Sequence, residues 1–491
     1  MNGHEYETVI GLEVHAQLLT RSKMFCSCAA DYQAAPPNTR VCPVCLGMPG
    51  VLPVINRRAV EFTLMTALVL NCEIPEFSKF DRKNYPYPDL MKGYQISQYD
   101  LPLSHDGWLE IDLEGETQRI GITRVHLEED TAKLLHRSGN GGERYSLVDV
   151  NRSGVPLMEI VGEPDLRSPE GARRYLVKLR SILQYLGVST GNMEEGSFRC
   201  DANVSLRPCG AAQLGAKVEV KNMNSFRSVF RALEYEVERQ RHRLERGERI
   251  HQETRGWVEE TGVTVSQRSK EFAHDYRYFP EPDLPPLLLS RAWIDEIQSR
   301  LPELPDVRRR RFEEEYGLAG YDAGQLSLAR NVADYFEAVV RALGAEDGKE
   351  RQRRAKAVAN WILGDLARLL NAGGQEIAHC PVPPEALAEL VGLVESGRVG
   401  GPAAKEVLAE MYTSGRRPEA VVEERGLSQV SDVAALDGIV AGVLEENAVA
   451  VSDYRGGKTQ AMTFLVGQVM RLSRGRAKPE VVREILVRRL G

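Results

Sequence analysis

The chain lacks any apolar run of the ~20 residues that a membrane-spanning helix needs. Its opening residues, Met1–Tyr6, have neither the basic nor the apolar region of a secretory leader, so a cytoplasmic location is expected. Overall positive charge is also missing. Against 63 Lys and Arg stand 70 Asp and Glu, a formal net charge of −7, so any nucleic acid must be met by local basic patches or by shape. Cysteine is scarce and uneven: of eight, Cys26, Cys28, Cys42 and Cys45 cluster, while Cys72, Cys200, Cys209 and Cys380 are scattered. In a cytosolic chain such a cluster points to metal rather than to disulfides. A phosphate-binding loop is absent as well. Gly456-Gly457-Lys458-Thr459 imitates its end, but Ser452 stands where the motif needs its first glycine.

What is present is alternation. At 491 residues the chain should form more than one domain, and its first half is dominated by strand periodicity. Tyr6–Leu18 sets Tyr6, Thr8, Ile10, Leu12, Val14 and Ala16 against Glu7, Glu13, His15 and Gln17. That is the pattern of a strand with one buried face. Ile120–Glu128, Ser146–Asn151, Leu157–Val161, Ser197–Arg207 and Lys217–Lys221 repeat it. Helices are expected over Asn56–Asn71, from Ser168-Pro169-Glu170 to Gly187, and over Ser225–Arg246. The second has a serine N-cap, a first-turn proline and a terminal glycine. Without a regular βαβ repeat, the mixture predicts an α+β fold with an antiparallel or mixed sheet covered on one face.

Cys26-Ser27-Cys28 and Cys42-Pro43-Val44-Cys45 have the paired spacing of a structural zinc knuckle, with free thiols the alternative. Phe80–Asp89 reads as an aromatic, proline-broken loop carrying Arg82 and Lys83, either a phosphate- and base-holding loop or a plain surface turn. The proline-dense Phe279–Leu289 reads as a linker, after which helical periodicity takes over. Arg455–Gly491 holds nine Lys or Arg against two acids, a local excess suited to phosphates.

If the strands share one sheet, Glu13, His15, Glu128, Glu159, Asp201 and Glu219 fall on its polar face, with Lys83 and Arg199 as candidate cations. Two like charges ~4 Å apart repel by roughly 4 kcal/mol at an effective dielectric near 20. A divalent cation relieves that repulsion, and oxygen-rich ligation favours magnesium completed by substrate phosphates. A solvated sheet face with unrelated acids is the alternative. Among reaction classes, a metal-dependent hydrolase or nuclease acting on RNA and an RNA-binding scaffold use the same residues.

Seven segments carry a resemblance. They are Gly11-Leu12-Glu13-Val14-His15, Phe80-Asp81-Arg82-Lys83-Asn84-Tyr85, His126-Leu127-Glu128-Glu129-Asp130, Arg199-Cys200-Asp201-Ala202-Asn203, Glu219-Val220-Lys221-Asn222, Asp275-Tyr276-Arg277-Tyr278-Phe279-Pro280 and Phe464-Leu465-Val466-Gly467-Gln468-Val469-Met470. In order, from about Tyr6 to the C-terminus, they resemble the B subunits of aspartyl/glutamyl-tRNA(Asn/Gln) amidotransferases. The resemblance implies a cradle-shaped catalytic domain over residues 1–293 with the knuckle (26–45) inserted, a helical domain over 294–400, and a helical tail contacting tRNA over 401–491. It implies a ligase that forms a C–N bond with glutamine as the amide donor. ATP phosphorylates the side-chain carboxylate of Glu or Asp mischarged on tRNA(Gln) or tRNA(Asn), and ammonia then displaces the phosphate. It further implies magnesium, structural zinc on Cys26, Cys28, Cys42 and Cys45, and a heterotrimer with an amidase subunit and a small C subunit. Glu13, His15, Glu128, Glu159, Asp201 and Glu219 are then expected to place metal ions or their waters. Lys83 is expected to neutralise the transferring phosphoryl group, with Arg199 assisting.

Overall fold

The computed structural model describes residues 6–139, 143–268, 273–345, 347–427, 433–473, 477 and 479–491. The chain divides into two compact units, Met1–Leu304 and Pro305–Gly491. No described helix is long and apolar enough to cross a membrane.

In the first unit the strands run β1 (Tyr6–Gln17), β2 (Phe77–Ser78), β3 (Asp81–Asn84), β4 (Tyr94–Ser97), β5 (Ser104–Leu113), β6 (Glu116–Glu129), β7 (Lys133–Ser138), β8 (Arg144–Asp149), β9 (Pro156–Gly162), β10 (Phe198–Pro208), β11 (Val218–Lys221), β12 (Glu253–Val258), β13 (Val263–Arg268), β14 (Phe279–Pro280) and β15 (Leu287–Leu288). Helices α1 (Arg57–Val69), α2 (Pro169–Leu186), α3 (Phe226–Glu245) and α4 (Arg291–Ser299) interleave with them. Eight strands form the main sheet in the order β13-β12-β11-β10-β1-β9-β6-β5. Its pairs are antiparallel except β11 with β12, so the α+β class with a mixed sheet is the observed one.

The alternation of β1 sets its faces. Ile10, Leu12, Val14 and Ala16 are buried in one apolar cluster with Leu176, Leu179 and Leu183 of α2 and Val229 and Leu233 of α3. Burying each such Leu, Ile or Val favours the fold by roughly 1.5–3 kcal/mol. The helices that supply this cover begin as expected: Ser168 Oγ accepts from Gly171 N at 3.0 Å and Ser225 Oγ from Ser228 N at 3.0 Å. Gly187 closes α2 at φ +65°, a left-handed value that disfavours a side chain.

Several expectations are corrected. Phe80–Asp89 is not all loop, since Asp81–Asn84 is the middle strand of a small sheet ordered β14-β3-β4. Phe279–Leu289 is not a linker. Phe279 and Pro280 pair with Arg82 and Asp81, Leu287 and Leu288 pair with Ser78 and Phe77, and Leu284 and Leu289 are in the core. Residue 293 lies inside α4, whose Ile294 and Ile297 join that core. Among the described residues Ser146–Asn151 does not enter the main sheet, because β8 pairs with β7 in a two-stranded hairpin.

In the second unit, apolar residues from Phe312 to Val422 form one cluster, which includes Ala404, Val407, Leu408 and Met411 of Gly401–Ser414. Those from Leu436 to Leu490 form another. In this last bundle Arg489 pairs with Asp437 and Lys458 with Asp453, while Arg471 and Arg483 are exposed. Gly456 and Gly457 follow helix Ala448–Arg455, in agreement with rejecting a phosphate loop there. Arg474, Arg476 and Lys478 of the basic excess lie outside the described residues.

Arg82 ties the small sheet to the 279–284 segment, donating from Nε and Nη2 to the buried Glu281 carboxylate at 2.7 and 2.8 Å. Glu281→Ala leaves that half-buried guanidinium with only the longer contact to Asp283, at 3.4 Å. The expected cost is about 3 kcal/mol in urea unfolding; a change below about 0.5 kcal/mol would mean that the pair does not hold the segment.

Candidate functional site

The register of five adjacent strands builds the polar face. His15 of β1 lies opposite Glu159 of β9 and Arg199 of β10; Glu159 lies opposite His126 of β6; Glu13 lies opposite Asp201; and Asn203 lies opposite Glu219 of β11. With strands ~4.8 Å apart, the row from β6 to β11 is about 19 Å wide, too wide for all its acids to meet one ion.

The side chains therefore fall into two groups. At the first, His15 Nε2 is 3.8 Å from Glu128 Oε1 and 3.7 Å from Glu159 Oε2, and His126 Nε2 is 3.2 Å from the same Glu159 oxygen. Glu128, Glu159 and His126 are buried while His15 is partly open. Burial pushes the Glu159 carboxyl up, but the nearby His126 and His15 imidazoles and Lys83 outweigh it and hold it well below the usual carboxylate range. Ligand atoms of His15, Glu128 and Glu159 lie within 4.8 Å of one another. Among the described residues His126 Nδ1, a buried polar atom, has no hydrogen-bond partner. Two carboxylate oxygens and one imidazole nitrogen so spaced fit a divalent cation that keeps open positions for water or phosphate.

At the second group Glu13 accepts from Asn203 Nδ2 at 2.8 Å, and Glu219 accepts from Thr254 Oγ1 at 2.8 Å. Lys221 Nζ is 2.6 Å from Asp201 and 3.6 Å from Glu219. Burial pulls the Lys221 ammonium down, but Asp201 and Glu219 more than reverse this. Arg199 turns to Asp130 at 3.0 Å.

Lys83 enters from β3. Its Nζ lies 5.1 Å from the Tyr276 ring centre and 5.9 Å from that of Tyr85. The small sheet carrying it is held against the end of β6: Gln95 Nε2 donates to Glu129 O at 2.8 Å, and Ile96 N to Glu129 Oε1 at 3.0 Å. Burial, and then the Glu128 charge, push the Tyr85 phenol up; burial, then Glu159 and Glu128, do the same for Tyr278. Both phenols thus lie within electrostatic reach of the first group.

Sequence reasoning assigned no site role to His126, Asp130, Lys221, Tyr85, Tyr276 or Tyr278. His126 shares the alternation of Glu128 and could have been found from it. The tyrosines stand in aromatic segments almost 200 residues apart, and long-range contacts such as the pairing of β14 with β3 bring them together.

The four knuckle sulfurs lie within 4.8 Å of one another, with Cys42 and Cys45 Sγ 3.8 Å apart. Four sulfurs ~2.3 Å from a tetrahedral zinc sit roughly 3.8 Å apart, so the donor set suits that ion. A hydrogen bond from Cys26 is the largest effect holding the Cys45 thiol down, at about 4, and Cys42 N donates to Cys45 Sγ at 3.0 Å. A Cβ at Gly47 (φ +65°) would come within 2.6 Å of Lys92 Cγ, which explains a glycine at this turn.

Comparison with known proteins decides the family. A family model described as the GatB/GatE catalytic domain matches residues 8–295, and one described as the GatB domain matches 334–490. The chain belongs to the GatB/GatE family. Among curated relatives named as B subunits of aspartyl/glutamyl-tRNA(Asn/Gln) amidotransferase, that of Thermomicrobium roseum is 60% identical over 482 residues, 98% of each chain. That of Dehalococcoides mccartyi strain CBDB1 is 59% identical over 490 residues, 99% of each. The Moorella thermoacetica protein is 58% identical over 486 residues, 99% of this chain and all of its own. The family's catalytic-domain match thus contains both acidic groups, Lys83 and the knuckle.

Asp130 gives this domain a testable pH signature. Burial pushes its carboxyl up, but the Arg199 and Arg152 guanidiniums, with Gln17, outweigh it and leave it lowered. Its contribution is complete above the ordinary Asp value of about 4 and is lost as pH falls through the lowered native value. In Asp130→Asn the urea midpoint should therefore fall less steeply than in the unmodified protein between about pH 5 and pH 2. Parallel profiles would contradict this.

Proposed function

We propose that this chain is the B subunit of an ATP-dependent tRNA amidotransferase, acting with an amidase subunit and a small C subunit. Its reaction activates the side-chain carboxylate of Glu or Asp mischarged on tRNA(Gln) or tRNA(Asn). A carboxylate oxygen attacks the γ-phosphorus of ATP, the bond to the β-phosphate oxygen breaks, and ADP leaves. Ammonia released from glutamine by the amidase subunit then attacks the acyl carbon. Inorganic phosphate departs with the electron pair, a proton is lost from nitrogen, and the amide of Gln-tRNA(Gln) or Asn-tRNA(Asn) remains.

The observation carrying this reading is the His15, Glu128 and Glu159 group with Lys83 beside it, inside the segment matched by the family's catalytic domain. Phosphoryl transfer asks a protein mainly for positioning and charge neutralisation. Bound magnesium would supply charge neutralisation on the phosphate oxygens. His15, Glu128 and Glu159 would hold it, and Glu13, Asp201 and Glu219 would order the waters or a further cation along the same face. Lys83 stabilises charge on the transferring phosphoryl group. Arg199, through Asp130, fixes the floor of the site and assists. The four knuckle cysteines hold zinc in a closed structural site, which leaves the chemistry to the polar face. Exposed cations of the last helices hold the body of the tRNA. The setting is cytoplasmic.

The test is amide formation from ammonium, ATP and each mischarged tRNA, with partner subunits present. Lys83→Met should lower kcat at least about 100-fold while tRNA affinity stays within about twofold. RNA cleavage without ATP would replace this reading with the hydrolase alternative, and unchanged kcat would remove Lys83 from the reaction.

A further inference from the structure

Three lysines in this unit lie against carboxylates. Lys221 pairs with Asp201, Lys79 with Asp81 and Asp100, and Lys92 with Glu129. Lys83 differs. Among the described residues no carboxylate lies within ion-pair distance of its Nζ, although its charge reaches Glu159. An ammonium within electrostatic reach of a buried acid would ordinarily pair with it. What it meets instead is aromatic: Tyr276 at 5.1 Å and Tyr85 at 5.9 Å, both inside the ~6 Å reach of a cation–π contact.

These rings belong to a braced array. Tyr85 and Tyr276 meet edge to face at 5.8 Å and 70°, and Tyr276 and Tyr278 at 6.0 Å and 69°. Tyr278 stacks on Tyr99 at 4.2 Å and 8°. Asn84 Nδ2, next to Lys83, donates to the carbonyls of Tyr276 and Arg277 at 3.2 and 2.9 Å, locking the two distant segments together. The Asp275–Pro280 motif supplies neither ligand to the acid group nor acid–base chemistry in the reaction above, yet its Tyr276 ring lies 5.1 Å from the Lys83 ammonium.

We infer that Tyr276 and Tyr85 are positioning residues that hold the Lys83 ammonium on their π faces, away from Glu128 and Glu159, so that its full charge meets the phosphoryl group of a nucleoside triphosphate. A ring face attracts a cation through its quadrupole but carries no net charge and takes no proton. It restrains the ammonium without neutralising it, which a carboxylate cannot do. The rings thereby keep the acids open for a cation and Lys83 open for phosphate. This inference rests on the role given to Lys83 under the proposed function.

The test uses the full assembly with ammonium, ATP and mischarged tRNA. Tyr276→Leu should lower kcat about tenfold or more with KM for ATP within about threefold, and Tyr276→Phe, which keeps the ring, should restore most of it. Trifluorophenylalanine at position 276 keeps the shape but weakens the π face, so its kcat should fall below that of Tyr276→Phe. In a Lys83→Met background these three replacements should no longer differ. Equal kcat for the phenylalanine, trifluorophenylalanine and leucine variants would overturn the inference, as would differences that persist in Lys83→Met. Full activity of Lys83→Met alone would overturn the role of Lys83, and the inference with it, before position 276 is touched.

Discussion

An imidazole held between two carboxylates across three hydrogen-bonded strands is the constraint on which the rest of the catalytic unit turns. His15, Glu159 and Glu128 come from β1, β9 and β6, neighbours in the main sheet. Their meeting is a consequence of register, and the register is set from the other face. Slipping β1 by one residue would turn Ile10, Leu12, Val14 and Ala16 out of the core and His15 into it. Hydrophobic burial thus compels buried acids to stand close, at a repulsive cost of several kcal/mol unless cations are supplied. Lys83 supplies part of that positive charge. The remainder is what makes the group suited to a divalent ion and a polyphosphate.

The same face shows how a protein partitions charge. Lys221 spans Asp201 and Glu219, Arg199 is committed to Asp130, and Asn203 occupies Glu13. The Lys221 and Asn203 pairs order the β10–β11 end of the face with protein groups alone, and Lys83 approaches the other end, where His15, Glu128 and Glu159 meet. The phosphoryl transfer proposed above gives this division a chemical setting. A phosphoryl donor needs a place where anionic oxygens are welcome beside carboxylates. Only a surplus of restrained cations at the acids makes such a place.

Much of this was legible from residues in order, and the exceptions have physical causes. The period-two alternation of Tyr6–Gln17 and Phe198–Pro208 and the serine caps of α2 and α3 are local signals, and the structure follows them. Phe279–Leu289 misled because proline density ordinarily marks a linker. Pro280 instead sits on β14, at the edge of the small sheet, where its missing N–H costs no ladder bond. That strand and β3 are two and four residues long and almost 200 residues apart, so no local pattern announces them. Ser146–Asn151 misled in the opposite way. It alternates, but β8 is largely exposed, and alternation without burial on one face says nothing about which sheet a strand joins. The acids of the site were readable as a set. Their division into two groups follows from strand spacing and from Lys221, Arg199 and Asn203, which only the register brings to them.

The central claim is that His15, Glu128 and Glu159 together grip a divalent cation beside the triphosphate. Pulsed electron paramagnetic resonance of manganese bound to the protein with a non-hydrolysable ATP analogue tests it most directly. The account predicts a nitrogen modulation from the His15 imidazole and phosphorus couplings from the nucleotide, with the nitrogen signal lost in His15→Gln and manganese affinity reduced at least about tenfold in Glu159→Gln. Manganese that binds with the same affinity in both variants, or that shows no nitrogen coupling, would contradict it.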